Sequence, residues 1–417
     1  MNFEYQEHGI AFLKSHKKAF LFDDPGLGKT RQNLMALDAS LPVLVICPKA
    51  AKTVWKAEAA KWRPELKTKI LEGRKNWRFP TSGEMLIVNP DILPETYTVA
   101  PPSSLQVVID ECHQFKSTKT KRSTALRKLS SSVSGTGGSV WASTGTPVLT
   151  SPMDLWGLIV ALDVVPETYG SWDNFKRLFK GYDFKISRFV TITKFPAKPL
   201  PDAMDPLKPF VLRRKREEVL PDLPRKIYET YKTEASFQSS VILTEEEIEN
   251  GAVYSPAIAT WRRDVSLRKA YECIPYLAEL AGSEQLVIFS CFRSSVEAIS
   301  AGLSEAGISV ESITGEDSTT ARAETAAKLQ SGSISALVGT IGAMGVALTL
   351  TASHRVIFID RDWTPALNKQ AEDRCCRIGQ TNGVIVTDIT CDDPIDEMIT
   401  KILVKKTQLL ENTTEKL

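Results

Sequence analysis

One glycine-rich loop constrains the fold of this chain more than any other feature. Residues 23–30 read Asp-Asp-Pro-Gly-Leu-Gly-Lys-Thr, follow an apolar run at 19–22 and open a helical pattern. Gly26 and Gly28 allow backbone N–H groups to close on phosphate oxygens at a helix N-terminus. Lys29 supplies a cation, and the Thr30 hydroxyl supplies a ligand for Mg²⁺. The pattern therefore predicts a strand, a phosphate-binding loop and a helix in a parallel α/β sheet.

The loop departs from the usual phosphate-loop pattern, because Asp23 stands where that pattern has its first glycine. Taken alone, these residues are also compatible with a glycine-rich turn before a surface lysine. A second strand end favours the phosphate loop, since a buried-strand pattern at 105–109 is followed by Asp110 and Glu111. Asp110 is predicted to hold Mg²⁺, and Glu111 to orient and deprotonate the attacking water. An isolated Asp-Glu pair is usually a solvated strand end, but together the two features predict that ATP is bound and hydrolysed.

Composition sets limits on the other possibilities. The formal net charge of +2 gives no overall electrostatic attraction for nucleic acid, so any such contact must come from local basic patches. The seven cysteines have no CxxC spacing and favour reduced thiols, and four scattered histidines do not predict a histidine-rich metal site. No apolar run approaches the ~20 residues of a membrane span, and the polar N-terminus does not resemble a signal peptide. Reduced thiols are typical of a cytosolic protein.

The order of apolar runs predicts an α/β fold with two similar parallel-sheet lobes and helical insertions between them. Short β-type runs recur in residues 1–150, the predicted ATP-binding lobe, at 19–22, 43–47, 85–88, 105–109 and 139–143. They recur in residues 285–417, the second lobe with a C-terminal helix, at 285–290, 310–313, 336–339, 355–359 and 384–388. Between them, residues 151–284 show helical patterns at 153–165, 171–182 and 260–280. Residues 194–209 contain five prolines and predict an extended linker, and the Gly/Ser-rich residues 131–138 predict a flexible loop.

Further motifs follow the loop in order along the chain. Those of the first lobe are Tyr5-Gln6, Val45-Ile46-Cys47-Pro48 with Trp55, Asp110-Glu111-Cys112-His113 and Ser143-Thr144-Gly145-Thr146-Pro147. Those after it are Phe210-Val211-Leu212-Arg213-Arg214-Lys215, Val219-Leu220-Pro221-Asp222-Leu223-Pro224, residues 342–349 with Trp363-Thr364-Pro365, and Gln370-Ala371-Glu372-Asp373-Arg374 with Arg377-Ile378-Gly379-Gln380. In this order they resemble the SWI/SNF-type DNA translocases of helicase superfamily 2, and the resemblance implies that the two parallel-sheet lobes are RecA-like. The residues at 343–344 and 370–380 resemble those of the annealing-helicase branch of this family. The chain departs from the family pattern at Pro25, at Cys375-Cys376 and at residues 347–349, and the last two departures concern coupling between the lobes.

The resemblance implies roles for individual residues. The implied ATP-binding set is Gln6, Asp24, Gly26, Gly28, Lys29, Thr30 and Gln370, with Thr30 and Asp110 holding Mg²⁺. The implied catalytic set is Lys29, Asp110, Glu111, Arg374 and Arg377, and the set that couples hydrolysis to DNA is His113, Thr144, Gly145, Thr146 and Gly345. Arg374 and Arg377 are spaced by one helical turn, so both are expected to face a cleft and reach the γ-phosphate. A salt-bridge ladder with Glu372 and Asp373 is the alternative for these arginines, and for His113 the alternative is a histidine satisfied by its neighbours.

DNA contacts follow from the resemblance and from local charge. The implied DNA-binding set is Lys49, Trp55, Lys116, Arg293, Arg322, Thr340 and Trp363. A basic run at 116–128 favours phosphate contacts, and a solvated helix face is the equal alternative. A tryptophan beside an apolar strand also occurs in protein cores. Contacts to the DNA backbone position a strand without reading its sequence.

We therefore predict an ATP-dependent translocase that tracks on duplex DNA and remodels forked or four-way DNA, independently of sequence, by branch migration or strand reannealing. The alternatives are a strand-separating DNA or RNA helicase of superfamily 2, a protein-displacing duplex translocase and, outside the enzymes, a nucleotide-gated DNA clamp. No nuclease, zinc or reader motif is evident outside the motor, so neither targeting nor protein partners are predicted. A compact motor of this kind suits a bacterial or viral genome, so we expect a cytoplasmic protein of a bacterial or virus-infected cell, or a nuclear one in a eukaryote.

Overall fold

A computed structural model describes residues 3–185, 191–196, 198–220, 225–234, 255–345, 348–377 and 379–414. By their contacts the residues form two units, the first comprising Met1–Pro221 with Thr407–Leu417 and the second Asp222–Lys406. Parts of three predicted motifs, at 221–224, 346–347 and 378, lie outside the described residues. The first two predicted helical insertions lie in the first unit, and the third lies in the second unit.

The first unit is built on a parallel sheet. Its strands are β1 (Lys18–Leu21), β2 (Val43–Ile46), β3 (Lys67–Ile70), β4 (Glu84–Val88), β5 (Gln106–Asp110), β6 (Ser139–Ser143) and β9 (Val211–Leu212), in the spatial order β3-β4-β2-β5-β6-β1-β9. Two further strands, β7 (Tyr182–Lys185) and β8 (Thr191–Lys194), form a separate antiparallel pair. Because all neighbours in the main sheet run parallel, the carboxyl ends of its strands share one edge.

Helices cover both faces of this sheet. They are α1 (Glu4–Ser15), α2 (Lys29–Ala36), α3 (Lys52–Trp62), α4 (Lys121–Gly135), α5 (Pro152–Ala161), α6 (Trp172–Leu178) and α7 (Arg216–Val219). The 3-10 helices are Lys49–Ala51, Arg74–Asn76, Pro90–Ile92, Cys112–Phe115 and Asp205–Phe210. Alternate residues of β2 belong to two different buried clusters, with Leu44 and Ile46 in one and Val43 and Val45 in the other. The sheet is therefore apolar on both faces, which is why its strands are continuous hydrophobic runs.

The second unit repeats the architecture with different connections. Its strands are β10 (Lys226–Lys232), β11 (Leu286–Ser290), β12 (Val310–Ile313), β13 (Ala336–Thr340), β14 (Arg355–Phe358) and β15 (Val384–Thr390), in the order β10-β15-β14-β11-β13-β12. Its helices are α8 (Pro256–Ala281), α9 (Arg293–Glu305), α10 (Thr319–Gln330), α11 (Ile341–Met344), α12 (Pro365–Glu372) and α13 (Pro394–Thr414), the last of which extends into the range of the first unit. Every strand pair of this sheet is parallel. The predicted fold class, α/β with two parallel-sheet lobes, is confirmed.

Several local predictions were wrong. Residues 131–135 belong to α4 rather than to a flexible loop, because Ala125, Leu129 and Val133 are buried at helical spacing. Within that segment Ser134 Oγ donates to the Ser130 carbonyl oxygen at 2.9 Å. The proline-rich segment is also not a plain linker, since it contains the end of β8 and a 3-10 helix with buried Leu207.

Candidate functional site

The phosphate-type loop follows β1 as the sequence predicts. Gly26 and Gly28 have φ angles of 88° and 72°, in the left-handed region that favours glycine. Gly28 is the N-cap of α2, so the first backbone N–H groups of that helix border the loop. The ammonium of Lys29 donates to the carbonyl oxygens of Asp23 at 2.7 Å and Asp24 at 3.2 Å. Glycines, helix start and cation therefore stand in the arrangement that an anionic phosphate chain requires.

The two strand-end carboxylates differ in their surroundings. Asp110 Oδ2 accepts a hydrogen bond from Trp55 Nε1 at 2.8 Å, and its Oδ1 accepts one from the backbone N–H of Glu111. Burial, followed by the charge of Glu111, raises the pKa of Asp110 to about 6. Glu111 has a φ of 49°, which is strained for a residue with a side chain. Strained backbone of this kind is often found at functional sites.

Three side chains converge on the Glu111 carboxylate. The buried Thr144 hydroxyl donates to Glu111 Oε2 at 3.3 Å, and His113 Nδ1 lies 3.2 Å from the same oxygen. His113 Nδ1 also lies 3.0 Å from Thr144 Oγ1, which in turn accepts from the backbone N–H of Thr146 at 3.1 Å. The end of β6 and the segment after β5 are thus joined at the candidate general base. The structure brings together His113, Thr144 and Thr146 of the predicted coupling set.

Gly145 is required by packing. A Cβ atom at this position would lie 2.7 Å from the ring carbons of Pro25 in the phosphate-type loop. Thr144 also donates its backbone N–H to the carbonyl of Leu21 at 3.2 Å, and Asn33 of α2 donates to Ser143 Oγ at 2.7 Å. The turn after β6 therefore packs directly against the loop, so a movement of either would affect the other.

The predicted adenine ligand Gln6 is already engaged in the fold. Its Nε2 donates to the Leu27 carbonyl at 3.2 Å, and its Oε1 accepts from Arg31 at 2.7 Å. A Cβ atom at Gly28 would lie 2.4 Å from Gln6 Nε2, so this side chain covers the loop closely. Gln6 thus lies at the expected site, and its contact with adenine stays a prediction. Asp24 is buried and its Oδ2 accepts from the backbone N–H of Arg216 at 3.3 Å.

A buried ion pair that the sequence did not predict lies beneath the loop. Arg214 Nε donates to Asp23 Oδ1 at 3.0 Å, and its Nη2 donates to Asp23 Oδ2 and to Gln32 Oε1 at 2.7 Å. Asp23 is fully buried, and Gln32 Nε2 completes the network by donating to Asp23 Oδ2 at 3.1 Å. The position of the missing loop glycine therefore holds a carboxylate that ties α2 to Arg214. The only sequence signal for this pair was the Arg213-Arg214 dipeptide in the motif at 210–215.

The residues of the first unit that were predicted to contact DNA differ in exposure and in their ion pairs. Lys49 is exposed at the start of a 3-10 helix after β2. Lys116 Nζ lies 3.8 Å from Asp154 Oδ1. The prediction that Trp55 contacts DNA was wrong, because its side chain is 1% exposed and its indole N–H holds Asp110. In the basic run, Lys121 pairs with Glu95 at 2.9 Å and Arg127 lies 3.7 Å from Asp163, which favours the solvated helix face.

Comparison with known proteins identifies the family. A family model described as the SNF2-related domain matches residues 5–253, more than half of the chain, and one described as the helicase conserved C-terminal domain matches residues 268–379. The chain belongs to the SNF2-related family. The resemblance to SWI/SNF-type proteins predicted from the motifs is thus confirmed.

Similar proteins of this family include larger proteins from vertebrates and bacteria. The chain is 24% identical over 430 residues to the SWI/SNF-related matrix-associated actin-dependent regulator of chromatin subfamily A-like protein 1 of Xenopus tropicalis, covering 97% of this chain and 44% of that protein. It is 25% identical over 436 residues to the human DNA annealing helicase and endonuclease ZRANB3, covering 98% and 40%. An uncharacterized ATP-dependent helicase of Mycoplasma pneumoniae is 26% identical over 451 residues, covering 98% and 42%. The chain spans less than half the length of these relatives, which include the annealing-helicase branch indicated by the motifs.

A solved structure of the Sulfolobus solfataricus SWI2/SNF2 ATPase core in complex with dsDNA is also similar. Its TM-score is 0.45 at 24% identity, with 100% of this chain and 93% of that chain covered. A second structure of the same core domain has a TM-score of 0.43 at 23% identity, with 99% and 90% covered.

The second unit of this SNF2-related chain carries the predicted arginines. Helix α12 ends at Glu372, so Arg374 and Arg377 lie in the turns after it and are not spaced along a helix. Arg374 is buried and donates to the Leu348 carbonyl at 3.4 Å, while Arg377 Nε donates to the Asp373 carbonyl at 3.0 Å. Gln370 is buried within α12. The helical-turn argument was therefore wrong, and the roles of Gln370, Arg374 and Arg377 at ATP stay predictions.

Three of the predicted DNA residues of the second unit share one edge of its sheet. Thr340 ends β13 and is the register partner of Ser290 at the end of β11. Arg293 begins α9 and forms ion pairs with Glu297 at 2.6 Å and with Glu316. Arg322 Nη2 donates to the Gly315 carbonyl at 3.0 Å, next to Glu316. These residues are therefore neighbours, although two carboxylates reduce the positive charge that Arg293 would offer to a phosphate.

The two remaining predicted residues of the second unit, Trp363 and Gly345, both make contacts within that unit. Trp363 is half-buried against a core cluster, with the Arg262 guanidinium 4.4 Å from its ring centroid. Gly345 caps α11, and a Cβ atom there would lie 2.6 Å from the Ile341 carbonyl oxygen. Trp363 packs against the core, so its contact with DNA stays a prediction. The coupling role of Gly345 also stays a prediction.

Among the described residues, no helix is both long and apolar enough to cross a membrane. No group of three or more His, Cys, Asp and Glu side chains in this part of the chain is arranged to hold a metal ion. None of the seven cysteines forms a disulfide.

Proposed function

We propose that this chain is an ATP-dependent translocase that tracks on duplex DNA and remodels branched DNA by branch migration or strand reannealing. The observation that carries the proposal is the contact of the Thr144 hydroxyl with Glu111, which links the candidate base to the turn packed on the phosphate-type loop. Membership of the SNF2-related family supports it. So does similarity to proteins named as a DNA annealing helicase and as an ATP-dependent helicase.

The residues of the first unit fit ATP and Mg²⁺. Backbone N–H groups around Gly28 and the ammonium of Lys29 would bind phosphate oxygens. The Thr30 hydroxyl and the Asp110 carboxylate would hold Mg²⁺, a small cation that usually keeps several waters and takes its other ligands from phosphates. A cation beside Asp110 would favour the charged form that burial now disfavours. Bound Mg²⁺ would supply electrophilic polarisation of the phosphate oxygens.

Glu111 is the proposed general base. Its ionised carboxylate would accept a proton from the attacking water, while the Thr144 hydroxyl holds one of its oxygens. His113 would share this contact and position the carboxylate, without taking the proton itself. Because Thr144 belongs to the turn that packs on Pro25, a displacement of that turn would change the orientation of the base. This is the proposed route by which DNA binding could control hydrolysis.

DNA is the proposed partner, in duplex, forked or four-way form and without sequence preference. Exposed Lys49 and the cluster of Arg293, Arg322 and Thr340 are the proposed backbone contacts. Such contacts bind any sequence and weaken steeply with salt. The proposed location is the compartment that holds that DNA, the cytoplasm of a bacterial or virus-infected cell or the nucleus of a eukaryote.

The deciding experiment compares ATP hydrolysis with single-stranded, duplex, forked and four-way DNA and with RNA. Stimulation by duplex and branched DNA above single strands and RNA is the expected result. A gel assay with ATP then compares a mobile four-way junction, a replication-fork mimic and a blunt linear duplex. Junction movement without unwinding of the linear duplex supports the proposal. Equal unwinding of the linear duplex favours a strand-separating helicase, movement of neither despite strong stimulation favours a protein-displacing translocase, and DNA binding without phosphate release favours a clamp.

A further inference from the structure

The antiparallel pair β7–β8 of the first unit has a surface that no motif of the chain explains. Register places Tyr182 opposite Lys194 and Phe184 opposite Ile192. Because side chains alternate along a strand and directly opposite residues share a face, these four side chains form one face of the pair. We call them the hairpin face. Tyr182 is 52% exposed and Ile192 37% exposed, so apolar area on this face meets solvent.

The base of the pair is fixed to the core. Phe195 packs against the buried cluster of the first unit and lies 6.3 Å, ring to ring, from both Trp172 and Phe175 of α6. A Cβ atom at Gly181 would lie 2.7 Å from the Phe195 ring, so chain entry and exit are tightly packed. Leu200 N–H also donates to the Leu178 carbonyl at 2.9 Å. The two strands therefore project from a rigid support rather than from a free loop.

The segment that carries the face has more basic than acidic residues. Between 173 and 202 the described basic residues are Lys176, Arg177, Lys180, Lys185, Lys194 and Lys198, and the described acidic residues are Asp173, Asp183 and Asp202. Asp183 is neutralised by Lys176 at 2.7 Å. Lys194 Nζ lies 3.9 Å from the Phe184 ring centroid. In a chain whose total formal charge is +2, this concentration of lysines is a local attraction for a polyanion.

We propose that the hairpin face binds the unpaired strand of branched DNA, with Tyr182 stacking on a base and Lys194 contacting a phosphate. Aromatic side chains beside lysines are the chemistry that binds single strands without sequence preference. A continuous duplex offers phosphates but no free base faces, so the exposed aromatic area on this face discriminates in favour of unpaired bases. The inference rests on the proposed function and deepens it, since it gives a physical reason for a preference for forks over linear duplex.

The test measures binding by fluorescence anisotropy, without nucleotide, to labelled oligo(dT), to a fork with single-stranded arms and to a blunt duplex. Tyr182→Ala is expected to weaken binding to oligo(dT) and to the fork by about tenfold and to leave blunt-duplex binding unchanged. Tyr182→Phe should bind as the unchanged chain does, because the ring is kept. Tyr271→Ala is the matched control, since Tyr271 is 59% exposed on α8 of the second unit.

Charge is tested separately with Lys194→Ala, the lysine of the hairpin face, against Lys67→Ala, an exposed lysine on the edge strand β3. Lys194→Ala should reduce the slope of log affinity against log salt for oligo(dT) by about 0.7, the value for one phosphate contact on a single strand. Lys67→Ala should leave the slope unchanged. Thermal unfolding of each variant checks that these changes leave the fold intact.

The outcomes separate this inference from the proposed function. Variants of the hairpin face that bind oligo(dT) and the fork as tightly as the unchanged chain overturn the inference alone, and so does an equal loss in the Tyr271→Ala control. An unchanged chain that binds DNA but does not hydrolyse ATP overturns the proposed function and leaves the binding result standing. An unchanged chain that binds none of the DNA probes overturns both.

Discussion

Each unit places an aspartate at the carboxyl edge of its parallel sheet, yet the two carboxylates have opposite surroundings. In the first unit Asp110 ends β5, and in the second Asp360 follows β14 after one intervening residue. Asp360 accepts hydrogen bonds from Ser290 Oγ at 2.8 Å, Ser266 Oγ at 2.6 Å and the Cys291 N–H at 2.7 Å.

Asp110 has fewer donors and a neighbouring negative charge. It accepts from the Trp55 indole and the Glu111 N–H, and the carboxylate of Glu111 repels it. Asp360 instead has the Arg262 guanidinium 3.9 Å away. The two strand ends therefore resemble each other in topology and differ in chemistry, since one carboxylate is already satisfied and the other can gain from a cation.

The loops that follow the strands differ in the same way. In the first unit β1 is followed by a loop with two left-handed glycines before α2. In the second unit only Cys291 and Phe292 separate β11 from α9, and neither is a glycine. A phosphate chain can therefore approach the backbone closely after β1 but not in the same manner after β11. Sheet topology alone therefore does not show which unit binds the nucleotide. The glycines and hydrogen-bond donors of the loop after β1 indicate the first unit.

The largest expected effect concerns the base of the first unit. Glu111→Gln keeps an oxygen acceptor for Thr144 but removes the carboxylate that would accept the proton, so turnover should fall by about 10² to 10⁴ while ATP affinity is retained. Phosphate release and nucleotide binding, measured side by side, check this. The control is Glu95→Gln, at an exposed carboxylate of the same unit that pairs with Lys121. Hydrolysis at the unchanged rate would show that Glu111 is not the base.

A second prediction breaks the buried support of the phosphate-type loop. Arg214→Ala removes the cation that holds the fully buried Asp23 carboxylate, so the free energy of unfolding should fall by about 3 to 5 kcal/mol. Urea unfolding followed by tryptophan fluorescence measures this. Lys208→Ala is the control, because the Lys208–Asp205 pair is exposed and should contribute less than about 1 kcal/mol. Equal effects of the two changes would mean that the buried pair is not a support.

A third prediction concerns Asp360 of the second unit, whose carboxylate already accepts three hydrogen bonds. Asp360→Asn replaces one acceptor oxygen by a donor that faces Ser266, Ser290 or the Cys291 N–H, which should lower the free energy of unfolding by about 2 kcal/mol. ATP affinity should stay as before, because Asp360 is not part of the proposed nucleotide site. Chemical unfolding and nucleotide binding of the purified variant give both numbers. A specific loss of ATP affinity at unchanged stability would remove the distinction between the two strand ends.

The smallest effect is a pH dependence in the first unit. Burial and Glu111 raise the pKa of Asp110 from 3.8 to about 6, so the folded chain binds a proton at this site more readily than the unfolded chain. The stability that this proton contributes is present below pH 3.8 and is lost as pH rises through about 6. Asp110→Asn does not titrate there, so its stability relative to the unchanged chain should increase by about 1 kcal/mol between pH 5 and pH 7. Unfolding curves at both pH values check the sign, and a constant difference would contradict the raised pKa.

Much of the fold followed from local patterns. The five strands predicted in the first lobe and the five in the second were found within one or two residues, because buried parallel strands are short continuous apolar runs. The sequence did not predict strands with few apolar residues, such as the exposed β10 and the β7–β8 pair. Such strands form because of their packing and pairing in the fold, which local sequence does not show. The serine-rich end of α4 was assigned to a loop because serine competes for backbone hydrogen bonds, and packing of Val133 outweighed that preference.

By itself the sequence determined the loop, the strand-end carboxylates and the family, since each depends on residue types at fixed short spacing. Tertiary structure decided which partners these groups receive. Trp55 holds Asp110 across 55 positions, and Arg214 neutralises Asp23 across 191 positions. A buried charge must be compensated wherever the fold brings a donor, and that donor can come from any distance along the chain. Local pattern therefore indicates where chemistry can occur, and long-range packing determines which carboxylate stays available for it.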